Sequence, residues 1–390
     1  MLDKKLGYYT CNGKEFDSKI KAALYSLEVR KKMWWNFNDE VFTNFDWTVE
    51  PTETLDQLYD QRARSLREKY DYIMLSYSGG ADSHNILMSF IRQGLFIDEI
   101  VVNTMEKGTR KFTDVNAANK ENKNAAAEYQ LQTFPRLKEV ENLIPNTKIT
   151  VVDLSDHLFD FLNTVGDGSW VLDKREQVNI AGATRFNYIH FDNIRKQFDK
   201  DKKIALVLGI EKPRTYIKDG IFHMCFQDRA ANTVTVAEHI KDYTNSSVEY
   251  FYWSPESTKL ICKQVHVIKK WLEAFPDKQE LWEWGGAFNA TTYRLIHERI
   301  LRTLIYTTWN NDWYQADKAI KDWYSEFDAW FYEGFSDTKA FHVWKDGLSY
   351  LEQNLGPYAK KDENGQVDGL ETFYRIYPIG PMKTLRISNG

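Results

Sequence analysis

Residues 71–94 run from an apolar stretch, Ile73-Met74-Leu75, through Ser78-Gly79-Gly80-Ala81-Asp82-Ser83 into a helical pattern of Ile86, Leu87, Phe90 and Ile91. No other part of the chain restricts its fold as much. The strand segment is apolar on both alternations, as in a parallel sheet covered by helices. A glycine turn then sets backbone N–H groups and hydroxyls at a helix N-terminus, where free amides and the helix dipole favour phosphate. Gly94 suits a helix stop, and 97–102 reads as the next strand, which closes one βαβ unit.

The same alternation continues on both sides. Leu55, Leu58, Ala63 and Leu66 recur at helical spacing over 52–70, with Pro51-Thr52 as the expected start. Residues 148–154 and 203–208 read as strands, and 155–163 and 184–198 as helices. Strands alternating with helices predict an α/β domain over 51–235, with a doubly wound, mostly parallel sheet and a ligand site at the carboxyl ends of its strands. Residues 1–50 form a mixed, aromatic N-terminal segment. From 236 to 355 the pattern predicts a mainly helical, aromatic-rich domain. There Ser254-Pro255-Glu256 resembles a helix start, and Ile261, Val265, Ile268 and Leu272 follow at helical spacing. The last segment, 356–390, carries Gly356-Pro357 and Pro378-Ile379-Gly380-Pro381 and reads as irregular.

A length of 390 residues favours more than one domain. A net charge of −5 gives no global reason to expect nucleic-acid binding. Cys11, Cys225 and Cys262 are isolated, without zinc spacing or a disulfide framework, which fits a reducing cytoplasm. No apolar leader stands at the start, and no run approaches the roughly 20 apolar residues of a membrane span. The expectation is a cytoplasmic protein with no membrane contact. Trp253, Trp271, Trp282 and Trp284 are candidates to stack on a base, although such aromatic density more often marks a core or an interface in a homo-oligomer.

The loop differs from two familiar phosphate binders. No lysine follows the glycines, as a Walker A loop requires, and the GxGxxG of dinucleotide folds is absent. Two serines and backbone amides can instead grip a phosphate chain, while Asp82 helps to hold Mg²⁺. Ser78, Gly79, Gly80, Asp82 and Ser83, with a strand before and a helix after, resemble the PP-loop of the ATP pyrophosphatase superfamily. The likeness extends loosely over 52–230 and is nearest to the synthetase domain of asparagine synthetase. It implies an adenine nucleotide alpha-hydrolase-like fold, with ATP and Mg²⁺ as cofactors. ATP is then cleaved between its α and β phosphates, a substrate oxygen becomes adenylated, and a nitrogen or sulfur nucleophile displaces AMP.

What the resemblance implies for single residues follows from where the strands end. Ser76, Ser78, Gly79, Gly80, Ala81, Asp82 and Ser83 would hold the phosphates, and Asn103 and Thr104 at the end of the second strand would lie near adenine. Gly209-Ile210-Glu211-Lys212-Pro213-Arg214 follows a later strand and should reach the same sheet edge. It departs from the family's Ser-Gly-x-Gly-x-Asp-Glu. Within it Lys212 or Arg214 would neutralise phosphate, and Glu211 would serve Mg²⁺ or the substrate amine. Asp82 and Glu211 are thus the expected metal ligands, and Asp82, Glu211, Lys212 and Arg214 the expected catalytic set. Arg110, Lys111, Arg185 and Asn187 are weaker candidates for substrate contact, and His84 is read as a surface or packing residue.

Departures from the family narrow the chemistry. Residue 2 is Leu2 and about 70 residues precede the loop, too few for a glutaminase of the asparagine synthetase type. Nitrogen would come from free ammonia, an amine-bearing substrate or a separate glutaminase. Isolated cysteines disfavour sulfur transfer, and Cys225 reads as core. The expected function is an AMP-forming ligase or amidotransferase-like enzyme that couples an adenylated carboxylate or carbonyl to nitrogen. The alternatives are an enzyme that aminates or thiolates a nucleobase in a nucleic acid, and an ATP-binding module without turnover.

Overall fold

A computed structural model of the chain describes residues 4–104, 128–173, 187–199, 201–231, 245–283, 293–315, 335–361, 365 and 367–383. At the N-terminal side, β1 (Tyr8–Cys11) and β2 (Lys14–Phe16) form a hairpin. Its turn is Asn12-Gly13, both at positive φ (47° and 79°). Asn-Gly suits a type I′ turn, in which both central residues take left-handed backbone. β3 (Met33–Asn36) pairs with the other edge of β1. Between β2 and β3 the chain makes helix Lys19–Val29, capped by Ser18, whose side chain accepts from the Lys21 amide.

The helix ahead of the central sheet is Leu55–Lys69. It starts at Thr54 and not at the expected Pro51-Thr52. Thr54 accepts from the Gln57 amide and Gln57 accepts from the Thr54 amide, a reciprocal cap that satisfies two otherwise unpaired donors. Leu55, Leu58, Ala63 and Leu66 all face the core. Four strands follow as the sequence predicts: β4 (Tyr72–Ser76), β5 (Glu99–Thr104), β6 (Lys148–Asp153) and β7 (Ile204–Leu208). The chain then makes an antiparallel hairpin, β8 (Arg214–Lys218) and β9 (Ile221–Gln227), and returns as β10 (Ser246–Tyr250).

β10 adds a strand to the segment read as mainly helical. It pairs in parallel with β7 and completes a five-stranded sheet, β10-β7-β4-β5-β6, parallel throughout. The strand is hard to see in Ser-Ser-Val-Glu-Tyr because Glu249 interrupts its apolar run. The carboxylate is buried all the same, held by Arg62 at 3.1 Å and Lys5 at 3.0 Å. β7 is buried along its whole length, as a central parallel strand should be. The chain is thus an α/β protein with a parallel sheet at its centre. From β4 it winds outward to β5 and β6, whereas β7 lies on the other side of β4 and leads outward to β10. The winding reverses between β4 and β7. In open α/β sheets the crevice at the carboxyl ends of such a pair is where ligands bind.

Ser254 accepts from the Glu256 amide and caps the turn Pro255–Ser257, which opens helix Thr258–Ala274. Ile261, Val265, Ile268 and Leu272 are fully buried on its inner side. Helices Glu298–Ile305 and Lys339–Asn354 follow. Trp253 and Trp282 lie in the core, and Trp271 packs on Trp282; Trp284 lies outside the described residues. The three cysteines are buried free thiols, and burial pushes those of Cys225 and Cys262 up to about 12.

The C-terminal segment is not irregular as expected. β11 (Ala359–Lys361) pairs with β12 (Val367–Leu370), and β13 (Tyr374–Pro381) adds to β9 to give a second sheet, β13-β9-β8. Pro378 and Pro381 are tolerated because β13 is an edge strand, with its register shifted between Pro378 and Gly380. A fully buried ion pair, Lys19 with Asp228 at 2.8 Å, fastens the end of β9 to the start of helix Lys19–Val29. Asp228 also accepts from the Tyr9 hydroxyl at 2.7 Å and the Phe373 amide at 2.9 Å.

Candidate active site

The chain turns sharply where β4 ends at Ser76. The Tyr77 amide still donates to Val101 of β5, and Ser78 then leaves the sheet. Gly79 has φ +69°, and a Cβ there would stand 2.6 Å from Thr133 Cα, so both its backbone and its surroundings exclude a side chain. Gly80 is the N-cap of helix Ala81–Arg92, and no side chain caps that helix. The amides of its first turn therefore retain donor capacity. The loop is braced from within by Ser83 Oγ, which accepts from the Ser78 amide and donates to the Gly80 carbonyl. It is braced from outside by Gln132 and Thr133, whose side chains donate to the Ser78 carbonyl at 2.9 and 2.6 Å.

The segment after β7 meets the loop at close range. A Cβ on Gly209 would lie 3.1 Å from Asp82 Cβ, so the two turns pack with little room for a side chain at 209. Two residues beyond the cis peptide between Ile210 and Glu211 is Pro213, and between them Lys212 turns inward. Its ammonium donates to both Asp82 oxygens, at 2.8 and 2.6 Å, and has Glu298 at 3.5 Å and Glu211 at 3.6 Å. Burial opposes the Lys212 charge, but the three carboxylates outweigh it and raise the ammonium well above its ordinary value. Burial also raises the Glu211 carboxyl, helped by Asp82 and Glu298 and opposed by Lys212. Two tyrosines complete the setting. Tyr306 donates to Asp82 Oδ1, and Tyr252 donates to the Asp82 carbonyl at 2.8 Å. Burial first, and for both also the nearby Asp82 charge, keeps the two hydroxyls protonated.

The structure therefore gathers Ser78, Gly79, Gly80, Ala81, Asp82, Ser83, Gly209, Glu211 and Lys212 at one crevice. Arg214 takes a different course: it opens β8 and stacks its guanidinium 3.3 Å from the Tyr293 ring centroid. Asn103 and Thr104 close β5 at the same sheet edge, and among the described residues the buried Asn103 Oδ1 has no hydrogen-bond partner. His84 bonds to the Tyr77 hydroxyl at 2.9 Å, and burial with the nearby Arg136 charge pushes it down to about 4, so it packs as a neutral ring. Asn187 opens helix Asn187–Arg195, and Arg110, Lys111 and Arg185 lie outside the described residues.

The expected metal ligands meet a lysine instead. Among the described residues no group of three or more His, Cys, Asp or Glu side chains is arranged for a metal ion. Asp82 has both oxygens on Lys212, and Glu211 faces the same ammonium. Magnesium needs carboxylate oxygens free to complete an octahedron with phosphate and water. As arranged, this set does not fit a protein-held magnesium ion.

Several residues at the crevice carry no local sequence signal. Glu298, Tyr306, Gln132 and Thr133 reach it from segments remote in the chain. Glu298 was open to a partial reading, as an acid at a helix start with Arg302 one turn on, and the two pair at 3.0 Å. Among the described residues no helix is long and apolar enough to cross a membrane. No protein-family model matches the chain, and no curated protein matches it.

Proposed function

We propose that the chain is an ATP-cleaving, AMP-forming enzyme of the PP-loop ATP pyrophosphatase kind. The observation that carries this reading is the joining of an uncapped glycine loop to a buried lysine at the reversal point of a parallel sheet. The loop amides and the Ser78 and Ser83 hydroxyls offer donors to a pyrophosphate group. Lys212 supplies a cation within reach of the same helix turn. Asn103 Oδ1, a buried acceptor without a donor among the described residues, suits the amino group of adenine at the neighbouring strand end.

The chemistry is positional. A carboxylate or carbonyl oxygen of the acceptor attacks the α phosphorus, and the bond from that phosphorus to the bridging oxygen breaks. Pyrophosphate leaves with the electron pair, and its new charge falls on loop amides and Lys212. A nitrogen nucleophile then attacks the activated carbon, AMP departs, and the nitrogen gives up a proton. Free ammonia, an amine substrate or a partner glutaminase would supply the nitrogen. A second reading, a nucleotide-binding module without turnover, draws on one observation: both Asp82 oxygens are engaged by Lys212.

The two readings separate in one assay. Purified protein is given ATP labelled at the α phosphate, with amino acids, nucleotides, ammonia or RNA as acceptors, and AMP and pyrophosphate are measured. The enzyme reading expects acceptor-dependent AMP that Asp82→Asn and Ser83→Ala abolish. ATP binding without AMP under every acceptor supports the module. ADP as product, or no ATP binding, sinks both.

A further inference from the structure

Arg136 is a buried charge, 2% exposed, that no carboxylate among the described residues bonds, although Glu139, one turn on in its own helix, acts on it through space. Its Nη2 donates to the Tyr314 carbonyl at 2.8 Å, and among the described residues its Nε has no partner. The guanidinium lies against Trp309 and Trp313, 5.2 and 4.5 Å from their ring centroids. Burial lowers its pKa, yet a guanidinium remains protonated at any physiological pH. Such a group is expensive to bury without an anion.

Its position gives that cost a purpose. Arg136 is one helical turn beyond Gln132 and Thr133, which hold the Ser78 carbonyl. Trp313 stands edge-on to His84, with ring centroids 5.1 Å apart. Asp82 and His84 are two positions apart, hence about 200° around the helix. Lys212 meets the Asp82 side, and Arg136 with its tryptophans covers the His84 side. The loop is flanked by two buried cations, of which one is paired with carboxylates and the other bonds none among the described residues.

We infer that Arg136 is the receptor for an oxyanion bound beside the loop. This rests on reading Ser78–Ser83 as a phosphate loop. Nε and Nη2 form the lateral edge of the guanidinium, the edge that takes a carboxylate or phosphate through two parallel bonds. Among the described residues one of these donors is unused and the other has a neutral backbone carbonyl. The oxyanion displaces that carbonyl and takes both. It belongs either to the acceptor, as a carboxylate, or to the nucleotide, as a phosphate.

Thermal unfolding of the full chain in chloride, sodium malonate or sodium pyrophosphate, at equal ionic strength, tests this. An anion at a hundred times its Kd should raise the wild-type Tm by roughly 3 °C for a chain of this length. Arg136→Met should lose the rise and, in chloride, melt no lower than wild type. Arg136→Lys, which keeps the charge without the fork, should recover less than half of it. A malonate response lost in Arg136→Met assigns the acceptor, and a pyrophosphate response lost without any malonate response assigns the nucleotide. A pyrophosphate response that Ser83→Ala leaves intact and Arg136→Met removes keeps Arg136 and rejects the loop. No response of wild type to either anion, or a full response in Arg136→Met, overturns the inference.

Discussion

The Lys212 ammonium donates to both oxygens of Asp82, and it is the more deeply buried partner, 2% exposed against 25%. An ion pair of this kind stores little net stability while intact, because desolvation offsets the attraction. Its removal is costly, because the survivors lose their countercharge. Here Asp82, Glu211 and Glu298 would lose a shared ammonium, with Asp82 keeping the Tyr306 hydroxyl and Glu298 keeping Arg302.

Lys212→Met should therefore destabilise the protein by about 3–5 kcal/mol at neutral pH, read from urea unfolding. The loss should shrink on acidification. Glu211 has a raised carboxyl pKa in the fold, so its contribution is full below its unfolded value and disappears as pH rises through the folded value. A loss of the same size at pH 4 and pH 8 would show that the carboxylates are not what Lys212 offsets.

Gly79→Ala and Gly80→Ala should differ sharply. At Gly79 the new Cβ meets backbone at 2.6 Å and must hold φ +69°, whereas at Gly80 it meets the Ser78 side chain at 3.3 Å. The left-handed backbone alone costs about 1–2 kcal/mol. We expect Gly79→Ala to lose pyrophosphate-dependent stabilisation and Gly80→Ala to keep most of it. Equal behaviour would mean that the turn is not held against Gln132 and Thr133.

Tyr306→Phe removes one donor to Asp82 without opening the core. A hydrogen bond to a charged group is worth about 1.5–3 kcal/mol. A double-mutant cycle with Asp82→Asn should return a coupling in that range, whereas a coupling near zero would show that Tyr306 only packs.

Acid unfolding should be dominated by two buried carboxylates outside the Lys212 cluster. Burial raises Glu99, but His190, Thr150, Tyr72 and Lys148 outweigh it and hold it at about 2. Burial likewise raises Glu249, and Lys5, Arg62 and Tyr70 bring it to about 2. Both values lie below the unfolded one, so each group stabilises the fold above pH 4.5, by roughly 3 kcal/mol, and loses that as pH falls toward 2. Glu99→Gln or Glu249→Gln should flatten the fall in unfolding midpoint between pH 5 and pH 3. An unchanged slope would move the acid sensitivity elsewhere.

The sequence shows its parallel strands because buried strands need uninterrupted apolar runs, and Ile204–Leu208 has one. It shows the loop because three constraints coincide within six residues. β10 escapes notice because its buried acid is neutralised by Arg62 and Lys5, which are distant in the chain. β13 escapes because prolines argue against strands except at an edge, and edge status belongs to the assembled sheet. Lys212 stands out beside a strand end, but its pairing with Asp82 rests on the approach of two turns remote in the chain. Glu298 and Tyr306 depend on helix packing that no local pattern encodes.

The strand Tyr374–Pro381 has one more consequence. It closes the sheet whose opposite strand starts at Arg214, two residues after the lysine of the crevice. On the ribosome, the central sheet can assemble as soon as residue 250 has emerged, yet β9 keeps an unpaired edge until residue 381 is free. Such an open edge invites pairing with other chains. The nascent protein is most exposed to misassembly in the interval between making its nucleotide crevice and receiving the strand that seals the sheet beside it.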